Sequence, residues 1–145
     1  MRIDFYHLTA RPLEQVLPSI CEKLLASGGR LLIVTGEVQV DALDRQLWTY
    51  APESFLPHGR AGAPREADQP ILVGSEPAAA NGARNIALAD GEWRDEALGF
   101  ERVFYFFDGA TIDGARAAWK KLKDRDGAEL HYWKQDENGR WVEGP

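Results

Sequence analysis

The chain has a single cysteine, Cys21, which rules out an internal disulfide and any cysteine-based metal cluster. Its three histidines, His7, His58 and His131, stand far apart, and none has a second ligand at the helical or strand spacing that zinc sites use. Phosphate-binding loops are missing as well. After the first candidate strand comes HLTARPL and after the second TGEVQV, neither with the glycine spacing that lets backbone approach a pyrophosphate, and no G-x-x-x-x-G-K-[ST] occurs. No cofactor or metal is therefore expected. The apolar run Leu31–Val34 is far too short to cross a bilayer, and the first residues lack the basic start and apolar centre of a signal peptide, so a cytoplasmic location is the expectation. Positive charge is scarce too. Seventeen Lys and Arg against 23 Asp and Glu leave a net charge of −6, which argues against general adhesion to nucleic acid and confines any anion contact to a local patch.

What is present suits one α/β domain over residues 1–145, with 44% hydrophobic and 28% charged residues. Residues 2–8 alternate, with Ile3 and Phe5 on one face and Asp4 and Tyr6 on the other, as a first strand would. Thr9 offers an N-cap and Pro12 fits the first turn of a helix whose apolar stripe runs through Leu13, Val16, Leu17, Cys21 and Leu24 to a stop at Gly28 and Gly29. Pro18 is the one residue that offends that pattern. Leu31–Val34 reads as a strand covered on both faces, and Val40, Leu43 and Leu47 mark a second helix. Short strands follow at 71–73 and 85–89, then the strongly apolar Arg102–Phe107, a helix over 111–126, and a terminal hairpin from Glu129–Gln135 to 140–143 around Asn138 and Gly139. Strands alternating with helices predict three layers, a central and mostly parallel sheet between helices, with an antiparallel C-terminal hairpin.

Two stretches exceed what the fold requires. Residues 47–62, LWTYAPESFLPHGRAG, place Trp48, Phe55 and Leu56 in a connection stiffened by Pro52 and Pro57, and end it with Pro57-His58-Gly59. Ordered apolar loops either cap their own core or meet a partner, and the sequence leaves both open for Trp48, Phe55, Leu56, Pro57 and His58. His58 is suited to tie the loop down through a ring nitrogen. The second stretch, 116–125, gathers five basic residues against one acid. Arg116 and Lys120 share a helical face with Trp119 beside them, so an indole is flanked by cations unless it is buried in the core. Lys121, Lys123 and Arg125 are explained by the helix dipole alone. An acidic peptide with an apolar anchor fits such a site better than a long polyanion that the surrounding acids repel. Paired carboxylates such as Asp41 and Asp44 read as solvated helix faces, and Cys21 on an apolar stripe is poorly placed to ionise, so no catalytic set emerges.

The order Leu47-Trp48, Pro52-Glu53-Ser54-Phe55-Leu56-Pro57-His58 and Ala61-Gly62 resembles the signature segment of the chi subunit of bacterial DNA polymerase III, a clamp-loader accessory protein. The opening RIDFYHL, the basic-aromatic helix 116–123 and the HYW strand fit the same family, while 76–100 matches loosely. The resemblance implies a non-catalytic replication adaptor. It implies two partners, the acidic C-terminal tail of single-stranded DNA-binding protein and the psi subunit or an equivalent. Nucleic acid is then contacted only indirectly. Arg116, Trp119 and Lys120 fall on the family's basic, aromatic and basic positions, whereas Ile112 stands where a further basic residue would strengthen the match. The competing expectation is a small-molecule- or nucleotide-binding α/β enzyme domain, which calls for a deep pocket with convergent polar groups.

Overall fold

A computed structural model describes residues 1–49 and 58–144, without the side chains of Trp48 and Thr49. In chain order the elements are β1 (Arg2–His7), α1 (Leu13–Ala26), β2 (Leu31–Val34), α2 (Glu37–Thr49), β3 (His58–Arg60), β4 (Ile71–Gly74), β5 (Asn85–Leu88), β6 (Arg102–Phe107), α3 (Ile112–Leu122), β7 (Glu129–Gln135) and β8 (Trp141–Glu143). Short 3-10 turns lie at Glu66–Asp68 and Asp95–Gly99. The strands form one sheet in the order β3-β4-β2-β5-β6-β1-β7-β8, parallel throughout except for the antiparallel β7–β8 pair.

The period-2 alternation of each strand sorts side chains to the two faces of this sheet. Ile3, Phe5, Val103, Tyr105 and Phe107 face one way, where Ala115, Ala118 and Leu122 of α3 close over them. Tyr6, Ile33, Phe104 and Phe106 face the other, against Val16, Leu17 and Cys21 of α1 and Val40, Leu43 and Leu47 of α2. Parallel strands covered on both sides read as continuous apolar runs, and all four residues of β2 are indeed buried. The mostly parallel α/β fold with its antiparallel hairpin is thus the one the sequence predicts.

Local details depart from the sequence reading. Thr9 does not cap α1. Pro12 occupies the N-cap position with no side-chain cap, and the preceding loop is held instead by Gln135 of β7, whose Oε1 accepts from the backbone N–H groups of Thr9, Ala10 and Arg11 at 3.0, 2.9 and 3.0 Å. α1 continues through Pro18 to Ala26 with Ser27 as its C-cap, and the chain then turns at Gly28, whose φ of +82° a side chain would strain. α2 begins at Glu37, three residues before the first of the apolar positions that mark it. α3 stops at Leu122 rather than at 126. His58, Gly59 and Arg60, read from sequence as loop, form β3 beside β4.

Candidate functional site

The parallel sheet sends the N-terminus of α3 and the ends of β1, β6 and β7 to one region, where a pocket of about 640 Å³ and a second of 270 Å³ open. The smaller one contains two of the sequence candidates. Its walls are Phe5, Phe107, Ile112, Ala115 and Tyr132, with Trp119 and Arg116 contributed by α3. The spacing of three between Arg116 and Trp119 puts both on one side of the helix, over β1 and β7, while Ala115 and Ala118 pack beneath. The Trp119 ring stands edge-on to Phe5, 5.1 Å between centroids at 74°, and edge-on to Tyr132 at 6.4 Å and 88°. Such T-shaped contacts fix the indole plane. Trp119 is half-buried, so it is a wall of the pocket as well as an outlier of the core.

Arg116 is exposed, with Asp113 as a loose ion-pair partner at 3.9 Å. Lys120 lies one turn further along α3, exposed, without an ion pair among the described residues, and outside the pocket lining. Of the other basic residues in the cluster, Lys121 is committed to Asp95 at 2.7 Å, while Lys123 and Arg125 lie beyond the end of α3 and outside the pocket lining. Phe5, Phe107 and Tyr132 were not singled out by the sequence as site residues, because they come from three different strands. His7 was weighed only as a metal ligand. It stacks on Phe107 (4.8 Å, 16°), and its Nδ1 lies 3.0 Å from the Tyr132 hydroxyl.

The loop candidates fare differently. Phe55, Leu56 and Pro57 lie outside the described residues, as does the side chain of Trp48. His58 is only 5% exposed, and its Nε2 lies 3.2 Å from both the carbonyl oxygen and a carboxylate oxygen of Asp44 on α2. A ring nitrogen thus ties β3 to α2.

The larger cleft lies at the carboxyl ends of β1, β2, β5 and β6, where neighbouring strands lead to helices on opposite faces, α3 after β6 and α1 after β1. Open α/β sheets hold ligands at such switch points. Two of its three carboxylates, however, are committed. Asp108 accepts from the N–H groups of Ala110 and Thr111 at the start of α3, and Asp90 is bound by Arg94 at 2.8 and 2.9 Å. Burial alone would raise the Asp90 pKa, but the Arg94 hydrogen bonds and backbone N–H groups outweigh it and hold the carboxyl below its usual value. No histidine, cysteine or lysine lines the cleft. Cys21 is buried among apolar side chains, which pushes its thiol up to about 12 and keeps it un-ionised. Among the described residues no group of His, Cys, Asp and Glu could hold a metal ion, and no helix is long and apolar enough to cross a membrane.

A family model described as "DNA polymerase III chi subunit, HolC" matches residues 1–130, that is, β1 through the start of β7. A protein of Rickettsia prowazekii (strain Madrid E), named "Probable DNA polymerase III subunit chi", is 32% identical over 76 residues, 52% of this chain and 46% of the relative. The match thus spans about half the length of that curated relative.

Proposed function

Because the chain belongs to the DNA polymerase III chi subunit family, we propose that it is a non-catalytic adaptor of DNA replication. In this reading it holds the acidic C-terminal tail of single-stranded DNA-binding protein and links it to the clamp loader through psi or an equivalent partner. The observation that carries the proposal is the pocket of α3. An apolar cavity of 270 Å³ is large enough for one large apolar side chain, and Arg116 stands at its mouth with Lys120 one turn beyond. An acidic peptide with an apolar end would place its anchor against Trp119 and its carboxylates along the two cations. In a protein of net charge −6, a local positive rim selects a short acidic segment over a long polyanion. The stretch 48–58 is the proposed surface for the second partner, with Trp48, Phe55 and Leu56 as its anchors.

Titration calorimetry with an acidic peptide ending in phenylalanine, at two salt concentrations, tests the reading. Arg116→Glu and Lys120→Glu should each cost about 1 to 3 kcal/mol of binding and flatten the salt dependence. If both variants bind as tightly as the parent, or if a peptide without its terminal apolar residue binds equally well, the site is misplaced.

The 640 Å³ cleft favours a second reading, a small-molecule site. Thermal unfolding with a panel of nucleotides and nucleosides separates the two, since a ligand of the cleft would raise Tm and leave peptide binding at α3 unchanged.

A further inference from the structure

The tail pocket has a titratable group behind its wall that the adaptor reading does not use. His7, the last residue of β1, stacks on Phe107 and sits 3.0 Å from the Tyr132 hydroxyl through Nδ1, so it touches two of the residues that line the pocket. Its Nε2 has no hydrogen-bond partner among the described residues. The charged and titratable neighbours come from every element around it: Asp108 after β6, Arg116 on α3 with Asp113 beside it, and on β7 both Tyr132 and Lys134, the latter at the register position opposite His7.

We propose that His7 makes this pocket proton-linked, so that an acidic tail docked there draws a proton onto the imidazole and is held more tightly below neutral pH. The proposal rests on the reading of the pocket as a tail site. In the empty pocket His7 is kept neutral, because burial disfavours its charged form and Arg116 repels it, with Asp108 opposing both. A carboxylate at the mouth reverses the second effect: it neutralises Arg116 and adds a negative charge of its own. The imidazolium is then favoured in the complex relative to the free protein, and linkage requires affinity to rise as pH falls through that range. The peptide's own carboxylates titrate well below it and stay ionised. His131, on β7, projects from the opposite face of the sheet, beside Glu129 and Glu143, and serves as the control.

The experiment is calorimetry on the full chain with an N-acetylated oligo-aspartate peptide ending in phenylalanine with a free carboxylate, in two buffers of different ionisation enthalpy. The parent is expected to bind about threefold to tenfold tighter at about pH 5.5 than at about pH 7.5, with net proton uptake. His7→Gln, which retains a hydrogen-bonding partner for Tyr132 and does not titrate, should lose that ratio, while His131→Gln keeps it. The imidazole resonances of His7, followed by NMR, should titrate at higher pH in the complex than in the free protein. Equal affinity of the parent at both pH values, or a pH ratio preserved in His7→Gln, overturns the role of His7 and leaves the tail site standing. Absence of binding at every pH overturns the tail reading itself and this proposal with it.

Discussion

The side-chain amide of Gln46 on α2 donates to the backbone carbonyl of Glu14 on α1 at 2.8 Å. That carbonyl is the one whose intrahelical donor would be residue 18, and residue 18 is a proline without an N–H. A neighbouring helix thus supplies the hydrogen bond that the sequence of α1 withholds, and the apolar stripe can run through Pro18 unbroken. Because Gln46 Oε1 is itself buried without a partner among the described residues, part of the gain is offset. Gln46→Ala is expected to destabilise by about 1 kcal/mol. In a Pro18→Ala background, where residue 18 can donate again, the same change should cost less. Urea unfolding of the four proteins in a double-mutant cycle measures the difference, and strict additivity would disprove the compensation.

Asp4 has no exposed surface, yet it is the hub of the strand ends. It accepts from Arg2 Nε at 3.1 Å, Arg102 Nε at 3.1 Å and the Trp133 indole at 2.9 Å. Arg102 in turn lies over the Phe104 ring at 4.3 Å. Removing the carboxylate leaves a half-buried indole donor and two guanidinium groups without their shared acceptor, so Asp4→Ala is expected to cost about 3 kcal/mol. Arg2→Ala should cost clearly less, since Arg2 is 41% exposed and Arg102 and Trp133 remain on the carboxylate. Denaturation midpoints that rank the two variants the other way would contradict this account.

Trp119 belongs to both the core and the pocket, and its substitutions should separate the two roles. Trp119→Ala removes the edge-on contacts to Phe5 and Tyr132 and is expected to cost about 2 kcal/mol of stability, below the usual cost for a fully buried tryptophan. Peptide affinity should fall about tenfold while its salt dependence is unchanged, because the indole contributes apolar contact and no charge. Trp119→Phe should recover most of the stability and part of the affinity. An affinity loss that tracks the salt concentration would mean that the helix was displaced rather than the wall removed.

The elements legible in the sequence are those whose signal is local. Leu31–Val34 and Arg102–Phe107 show unbroken apolar runs because both their faces are covered. Arg116 and Trp119 come together through helical spacing alone. What the sequence concealed is set by long-range contacts. The Asp4 carboxylate looks like an ordinary outward residue of an alternating strand until Arg102 and Trp133 are folded onto it. The expected cap at Thr9 yields to Gln135, 126 positions away. The pocket behind Trp119 needs Phe5, Phe107 and Tyr132, which only the β6-β1-β7 order makes neighbours. β3 was hidden for a related reason, since three residues with Gly59 at their centre carry too little pattern to announce a strand.

The antiparallel edge of the sheet carries a pH-sensitive clasp. His131 on β7 lies between two carboxylates, with Nδ1 2.6 Å from Glu143 of β8 and Nε2 2.7 Å from Glu129. Hydrogen bonding to Glu143, and then to Glu129, raises the His131 pKa above its usual 6.5, and the same contact lowers that of Glu129 below its usual 4.5. A raised histidine contributes stability that is fully present below 6.5 and is lost as pH rises through its folded value. A depressed glutamate contributes stability present above 4.5 and lost as pH falls through its own folded value. The clasp is therefore strongest between those two limits. His131→Gln should lower the urea midpoint most near about pH 5.5 and least near about pH 9, where the parent's imidazole is neutral. The amide of Val142, paired across from Lys134, should exchange faster in the variant over the same range. A midpoint gap that stays constant from acid to alkaline pH would show that the two carboxylates do not hold a protonated ring.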